Sequence, residues 1–256
     1  MKPLKFVPLV LSVCAVRLSA ALIDEVQVYA DDIATPQKFG LELHVNTTPS
    51  GRATPDYAGE IVPRHGLRVT PEFSYGLSHD FEAGLYLPLH RTAGGTVDLA
   101  GAKLRLKWLP VQPAEKDHGW FAGLNTEIAW LQRRFDAAHW GAEVRTIFGY
   151  RDPEWLLAVN PVFVWTLAGP DRRARPESEF QFKAARKILP GLSFGPEYYA
   201  GLGPVGQARP CREQEHTLYA AFDVDAGPWV FNCGVGRGFT RATDRWTVKF
   251  IFEVPW

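Results

Sequence analysis

From Phe39 onward, apolar side chains fall on every second position, and small, polar or charged residues fill the positions between. Phe39, Leu41, Leu43 and Val45 point one way while Gly40, Glu42, His44 and Asn46 point the other. Ala102, Leu104, Leu106 and Trp108 oppose Lys103, Arg105 and Lys107. Trp246, Val248, Phe250, Phe252, Val254 and Trp256 oppose Thr247, Lys249, Ile251 and Glu253. A period of two is the signature of a β-strand. The pattern predicts about twelve strands, the other nine centred near 69–75, 81–89, 122–130, 140–150, 155–165, 180–186, 192–200, 216–224 and 229–236. Tight turn signals separate several of them: Gly76-Leu77-Ser78-His79, Arg151-Asp152-Pro153-Glu154, Leu189-Pro190-Gly191 and Ala226-Gly227-Pro228. Longer connections over 46–65, 168–177 and 203–215 alternate with these turns, so short turns gather at one end and long loops at the other. The connection 110–118 is longer than this rule wants.

Tryptophan spacing turns strands into membrane strands. Trp120 and Trp130, Trp155 and Trp165, and Trp246 and Trp256 each stand ten residues apart, an even spacing that puts both indoles on one face. Ten residues of strand cover roughly 33 Å, or about 25 Å along the normal at a tilt near 40–45°, which is the height of an outer-membrane apolar band between its aromatic girdles. Trp108, Trp120, Trp155, Trp229 and Trp256 fall near short-turn ends, and Trp130, Trp140, Trp165 and Trp246 near long-loop ends. A soluble β-sandwich would hold its Trp residues at strand centres instead. The predicted fold is therefore all-β: a closed, antiparallel, up-and-down transmembrane barrel with short periplasmic turns and longer extracellular loops.

The start of the chain fits export to that membrane. A basic Met1–Lys5 precedes an eleven-residue apolar run, Phe6–Val16, and Ser19-Ala20-Ala21 offers small residues for cleavage before Leu22. Eleven residues are too few for a helical span, so 1–21 reads as a signal peptide and 38–256 as the barrel. Segment 22–37 is a periplasmic lead-in, a short helix with Ile23, Val26, Tyr29 or Ala30, and Ile33 on one face, or a plug folded into the lumen. The last strand ends on Phe252, Val254 and Trp256, the outward aromatic pattern expected to be read by barrel-assembly machinery. Outer-membrane lipid and lipopolysaccharide are the expected surroundings, with Arg172, Arg173 and Arg175 in one long loop suited to lipopolysaccharide phosphate. With 28 basic and 28 acidic residues, the net charge of zero argues against nucleic acid.

The run Tyr75-Gly76-Leu77-Ser78-His79-Asp80-Phe81-Glu82-Ala83-Gly84-Leu85-Tyr86-Leu87-Pro88 resembles a strand–turn–strand pattern of the outer-membrane proteins of the MetA-pathway of phenol degradation group. The resemblance covers this hairpin and the general barrel pattern. It implies an outer-membrane barrel linked to uptake of small organic compounds.

The inward phase carries the candidate chemistry. Lys103, Arg105 and Lys107 form a basic ladder, with Glu42, Glu72, Glu82, Glu127 and Glu143 as acidic partners on the lumen face. Lys107 is expected beside Glu82 and Lys103 beside Glu127. Such charges must be paired or hydrated, because an isolated buried charge costs several kcal/mol. Two readings stay open: structural pairing, or a charge filter that favours small anions. Catalysis is not expected. Ser178 and His216 share the outward face but lie two strands apart, about 10 Å, beyond proton transfer. Seven His and three Cys show no metal-binding spacing, so no metal or other cofactor is expected. Cys211 in a long loop and Cys233 on a strand are too far separated to bridge. The expected function is passive passage of small polar or organic solutes. A closed structural or surface-interaction barrel without conductance is the alternative, and a lipid-modifying enzyme the third.

Overall fold

A computed structural model describes residues 25–115, 118–169 and 172–254 of the chain. The expected leader, residues 22–24 and the terminal Trp256 lie outside the described residues. Twelve strands close into one barrel. They are β1 (Phe39–Ser50), β2 (Leu67–Gly76), β3 (Phe81–Tyr86, resumed over Leu89–Arg91), β4 (Val97–Leu99, resumed over Gly101–Val111), β5 (Gly119–Leu131), β6 (Trp140–Arg151), β7 (Trp155–Thr166), β8 (Glu177–Leu189), β9 (Leu192–Pro204), β10 (Glu215–Ala226), β11 (Trp229–Gly238) and β12 (Trp246–Glu253). Every strand pairs antiparallel with its neighbours in sequence, and β12 returns to β1 in a register that sets Leu43 against Phe252 and Val45 against Phe250. Closure leaves no sheet edge, the condition for crossing hydrocarbon with strands.

Every predicted segment coincides with one of these strands. The breaks in β3 and β4 have a local cause. Pro88 has no amide to donate, so the ladder lapses after Tyr86 and resumes at Leu89, while Ala100 donates to the Pro88 carbonyl at 2.7 Å. Short turns at 77–80, 152–154, 190–191 and 227–228 lie at one end, together with the longer 112–118 connection. Gly191 and Gly227 take φ of +72° and +74° in the two tightest of these, a region where an L side chain is strained. Connections 51–66, 132–139, 167–176, 205–214 and 239–245 gather at the other end.

The two faces are inverted relative to a soluble sheet protein. Outward Leu104 is 64% exposed and Trp120 58%, whereas inward His44, Asn125 and Asn160 are wholly buried. Trp108, Trp130, Trp140, Trp155, Trp229 and Trp246 are exposed as well, Trp165 is half-buried, and Trp229 and Phe231 stack on Phe252 beside the final strand. The lumen face is not uniformly polar. Near the short-turn end, Leu109, Phe121, Ile147 and Ala158 also point inward and cluster with residues from the start of the chain.

The exposed apolar band has a measurable consequence. Leu104→Arg, on the outward face between the girdles, is expected to destabilise the bilayer-folded protein by about 2–4 kcal/mol in reversible denaturant titrations, as Arg does at a membrane midplane. The same change at Leu167, in a connection, should move it by less than about 0.5 kcal/mol.

Candidate functional site: the barrel lumen

Residues 25–37 are extended and run through the lumen, with Val26, Val28, Tyr29 and Ala30 buried. Residues 25–37 contain no helix. Tyr29 is the anchor. Its amide donates to Asn160 Oδ1 at 2.7 Å, and Asn160 Nδ2 donates back to the Tyr29 carbonyl at 3.0 Å, so one amide side chain of β7 serves both backbone groups as a neighbouring strand would. The Tyr29 hydroxyl meets that of Tyr86 at 2.7 Å. Arg145, Lys107 and Arg105 lie 4.5, 5.1 and 5.8 Å from the centre of its ring, a cage of cations against one π face system.

Other lumen cations hold the backbone on either side. Lys249 donates to the Val26 carbonyl at 3.1 Å and Arg145 to that of Gln27 at 3.0 Å. Lys107 donates to the Asp32 carbonyl, and the Ala34 amide donates to Glu82. Arg151 forks onto Asp31 at 2.5 and 2.8 Å, the bidentate geometry that guanidinium favours. Apolar contact adds to this: Val28, Tyr29 and Ala30 pack on Leu109, Phe121, Ile147 and Ala158, with Ile33 and Leu156 alongside. The segment leaves the lumen at the short-turn end, where the Gln37 amide donates to Gly76 at 2.8 Å before β1 begins.

The basic ladder thus faces the lumen, but its cations are largely engaged. Arg105 pairs with Glu72 at 2.8 Å and with Glu82. Lys107 stands opposite Glu82 in register, yet its ammonium goes to the segment's backbone, because Arg105 and the Ala34 amide already occupy that carboxylate. Opposite Lys103 in register is Ala129, and opposite Arg105 is Glu127; Lys103 and Glu127 line one cavity together. Glu143 accepts from Arg145 at 3.0 Å, and Glu42 lies 3.8 Å from His44. Lys249 and Lys183 converge on Glu197, a centre that phase alone did not single out.

Two cavities flank the segment and share no lining residue. One, about 180 Å³, opens toward the long loops and carries eight acidic side chains against four basic. The other, about 460 Å³, opens toward the short turns and carries eight acidic against three basic. Over the first cavity the 51–66 loop is clamped: Arg52 donates to Glu60 at 2.7 and 2.8 Å and its amide to Asp244 at 2.9 Å. Burial would raise the Glu60 carboxyl above the ordinary 4.5, but the Arg52 guanidinium and the Asp56 amide outweigh it and hold it low.

Ser178 and His216 do not meet on the wall. Ser178 on β8 donates to the Gly203 carbonyl at 2.7 Å, and His216 on β10 is bonded to Tyr198 at 2.6 Å and Gln214 at 3.0 Å, with β9 between them. Cys211 and Cys233 are both free thiols. Arg172, Arg173 and Arg175 are exposed on their loop.

No protein-family profile matches the sequence, and no curated protein does. Among solved structures, the barrel is similar to the COG4313 outer membrane channel from Pseudomonas putida F1, with a TM-score of 0.60 and 11% identity over 91% of this chain and 100% of that one. The fold is that of an outer-membrane β-barrel. DcaP of Acinetobacter baumannii has a TM-score of 0.38 at 10% identity, covering 85% of this chain and 96% of that one. For OprD from Pseudomonas aeruginosa the values are 0.41 and 13%, covering 85% and 65%. At these identities the likeness is one of fold.

Two outcomes follow from the anchoring. Asn160→Ala removes both bonds to the Tyr29 backbone, so with Cys211 and Cys233 replaced by Ser, a reporter thiol at Val28 should react with a water-soluble maleimide at least about tenfold faster than in the same background with Asn160 intact, the change that loss of one to two hydrogen bonds brings. Unchanged labelling would show that Asn160 does not hold the segment. Because the Glu60 carboxyl is lowered in the folded loop, its contribution is complete above pH 4.5 and is lost as pH falls below that toward its folded value. Proteolysis of the 51–66 loop should therefore accelerate below pH 4.5, and Glu60→Gln should remove that pH dependence.

Proposed function

We propose that the chain is a channel of the bacterial outer membrane for small polar or organic solutes, kept closed at rest by its own N-terminal segment. The observation that carries this reading is the extended 25–37 segment lying between two cavities, each open to one end of the barrel. Four of its bonds to the wall are hydrogen bonds from side chains to its backbone carbonyls, at Val26, Gln27, Tyr29 and Asp32, which water replaces at a net cost of about 1–3 kcal/mol each. A filler meant to be permanent would be expected to rest on apolar packing along its whole length, and here such packing is confined to a few residues around Tyr29. The short-turn end faces the periplasm in this reading, so the segment enters from the periplasmic mouth.

The interior charge points to the solute's sign. With Arg105 and Lys107 engaged and acidic groups in excess in both cavities, the opened path favours small cations and neutral polar solutes over anions. The resemblance of the Tyr75–Pro88 hairpin to the phenol-pathway group supports small organic compounds as the neutral class. A closed barrel that conducts nothing remains a second reading, favoured by the tight Arg105–Glu72–Glu82 pairing beside the segment.

Planar-bilayer recording of the refolded full chain separates the two. The channel reading expects rare, brief openings for the parent, a several-fold higher open probability for Asn160→Ala, and a reversal potential of cation-selective sign in a salt gradient. Silence from both proteins, each folded by heat-modifiable mobility, would select the closed barrel. Anion-selective openings would overturn the charge argument.

A further inference from the structure

We propose that Glu42, His44 and Glu72 form a binding site for one divalent first-row transition ion, with Zn²⁺ as its best-fitting occupant. Glu42 and His44 stand two residues apart on β1 and so share its lumen face, and Glu72 stands opposite Glu42 in register on β2. One ligand atom from each lies within 4.8 Å of the others. His44 Nε2 is 2.9 Å from Glu72 Oε2 and 3.8 Å from Glu42 Oε2. Zinc bonds of about 2.0–2.2 Å put neighbouring ligand atoms roughly 3–3.6 Å apart, so a small rotation of one carboxylate completes the set. Glu42 has that freedom, with its side chain 28% exposed while those of His44 and Glu72 are 0% and 2%.

Three further observations point to a cation. The neighbourhood is short of positive charge: Glu253 stands opposite Glu42 on β12, Glu82 lies on β3, and Arg105 is shared between Glu72 and Glu82. Excess carboxylate charge in a low-dielectric interior is costly unless a cation neutralises it. Next, His44 Nδ1 is buried with no hydrogen-bond partner among the described residues, so the ring proton moved there frees the Nε2 lone pair for a metal, whose bond must offset an unsatisfied N–H and the lost Nε2–Glu72 contact. Lastly, Glu42 lines the 460 Å³ cavity, which gives an ion its way in and leaves room for water to complete the coordination shell. One imidazole with two carboxylates suits zinc and its neighbours in the first row, whereas calcium takes six to eight oxygens.

The site does not depend on conduction, so its test stands apart from bilayer recording. The full chain, refolded in detergent and stripped with a chelator, is titrated with ZnCl₂ against a chromogenic zinc indicator at pH 7. One Zn²⁺ per chain is expected. His44→Ala and Glu42→Gln should each weaken binding at least about tenfold, since loss even of an outer-shell partner costs that much. Excess CaCl₂ should not compete, and binding should weaken at pH 5 as the imidazole protonates. Should His44→Ala fail to fold, Glu42→Gln at the cavity edge carries the test alone. Absence of stoichiometric Zn²⁺ from the folded parent, or parental affinity in Glu42→Gln, would overturn the site.

Discussion

A closed sheet in hydrocarbon solves one problem and creates another. The strands pair around the whole ring, but half of all strand side chains are then forced into a narrow interior where charge and polarity must be satisfied locally. The rest of this structure follows from that constraint. Twelve strands bring in more polar groups than their mutual pairing absorbs, and an extended stretch of the same chain supplies the missing carbonyls and amides. Lys107, Arg145 and Lys249 each spend a bond on that stretch, and Asn160 treats Tyr29 as though it were part of another strand.

The lumen divides into layers with distinct physical character. Toward the short turns, Leu109, Phe121 and Ile147 give the inserted segment an apolar seat. Around Tyr29, cations crowd one aromatic ring, which adds to the carboxylate pairing of Arg105 and Arg145. Toward the long loops, acidic side chains predominate and the Arg52–Glu60 clamp folds the first connection across the mouth. A segment held in this way is tied most firmly around Tyr29, where hydrogen bonds, cations and apolar packing meet.

The barrel was legible in the sequence because its code is simple. Alternation of period two marks the strands, and the turn residues around Gly191 and Gly227 fix where they reverse. Trp pairs ten residues apart give the direction of the lipid. The lumen was legible only in phase. Which residues face inward follows from alternation, but which of them meet depends on what else is inside: Lys107 is in register with Glu82 and yet bonds Asp32. Residues 25–37 carry too few alternating positions to declare a partner, since Val28, Tyr29 and Ala30 are buried in succession. The inward Leu109, Phe121 and Ile147 were a readable signal, because apolar residues in the lumen phase at one barrel end imply something apolar to cover them. Glu72 joins Glu42 and His44 only across a strand pair, so spacing along the chain does not bring the three together.

The account depends most on the claim that the N-terminal segment is a structural part of the lumen. Hydrogen–deuterium exchange of the refolded full chain in lipid, read on peptides spanning residues 25–34, tests this directly. The Tyr29 amide is bonded to Asn160 and buried, so exchange there should be slowed by orders of magnitude relative to an unstructured peptide and should approach that of the strands around it. Exchange at the unstructured rate, with strand peptides still protected, would show that the segment lies outside the barrel and would contradict the account.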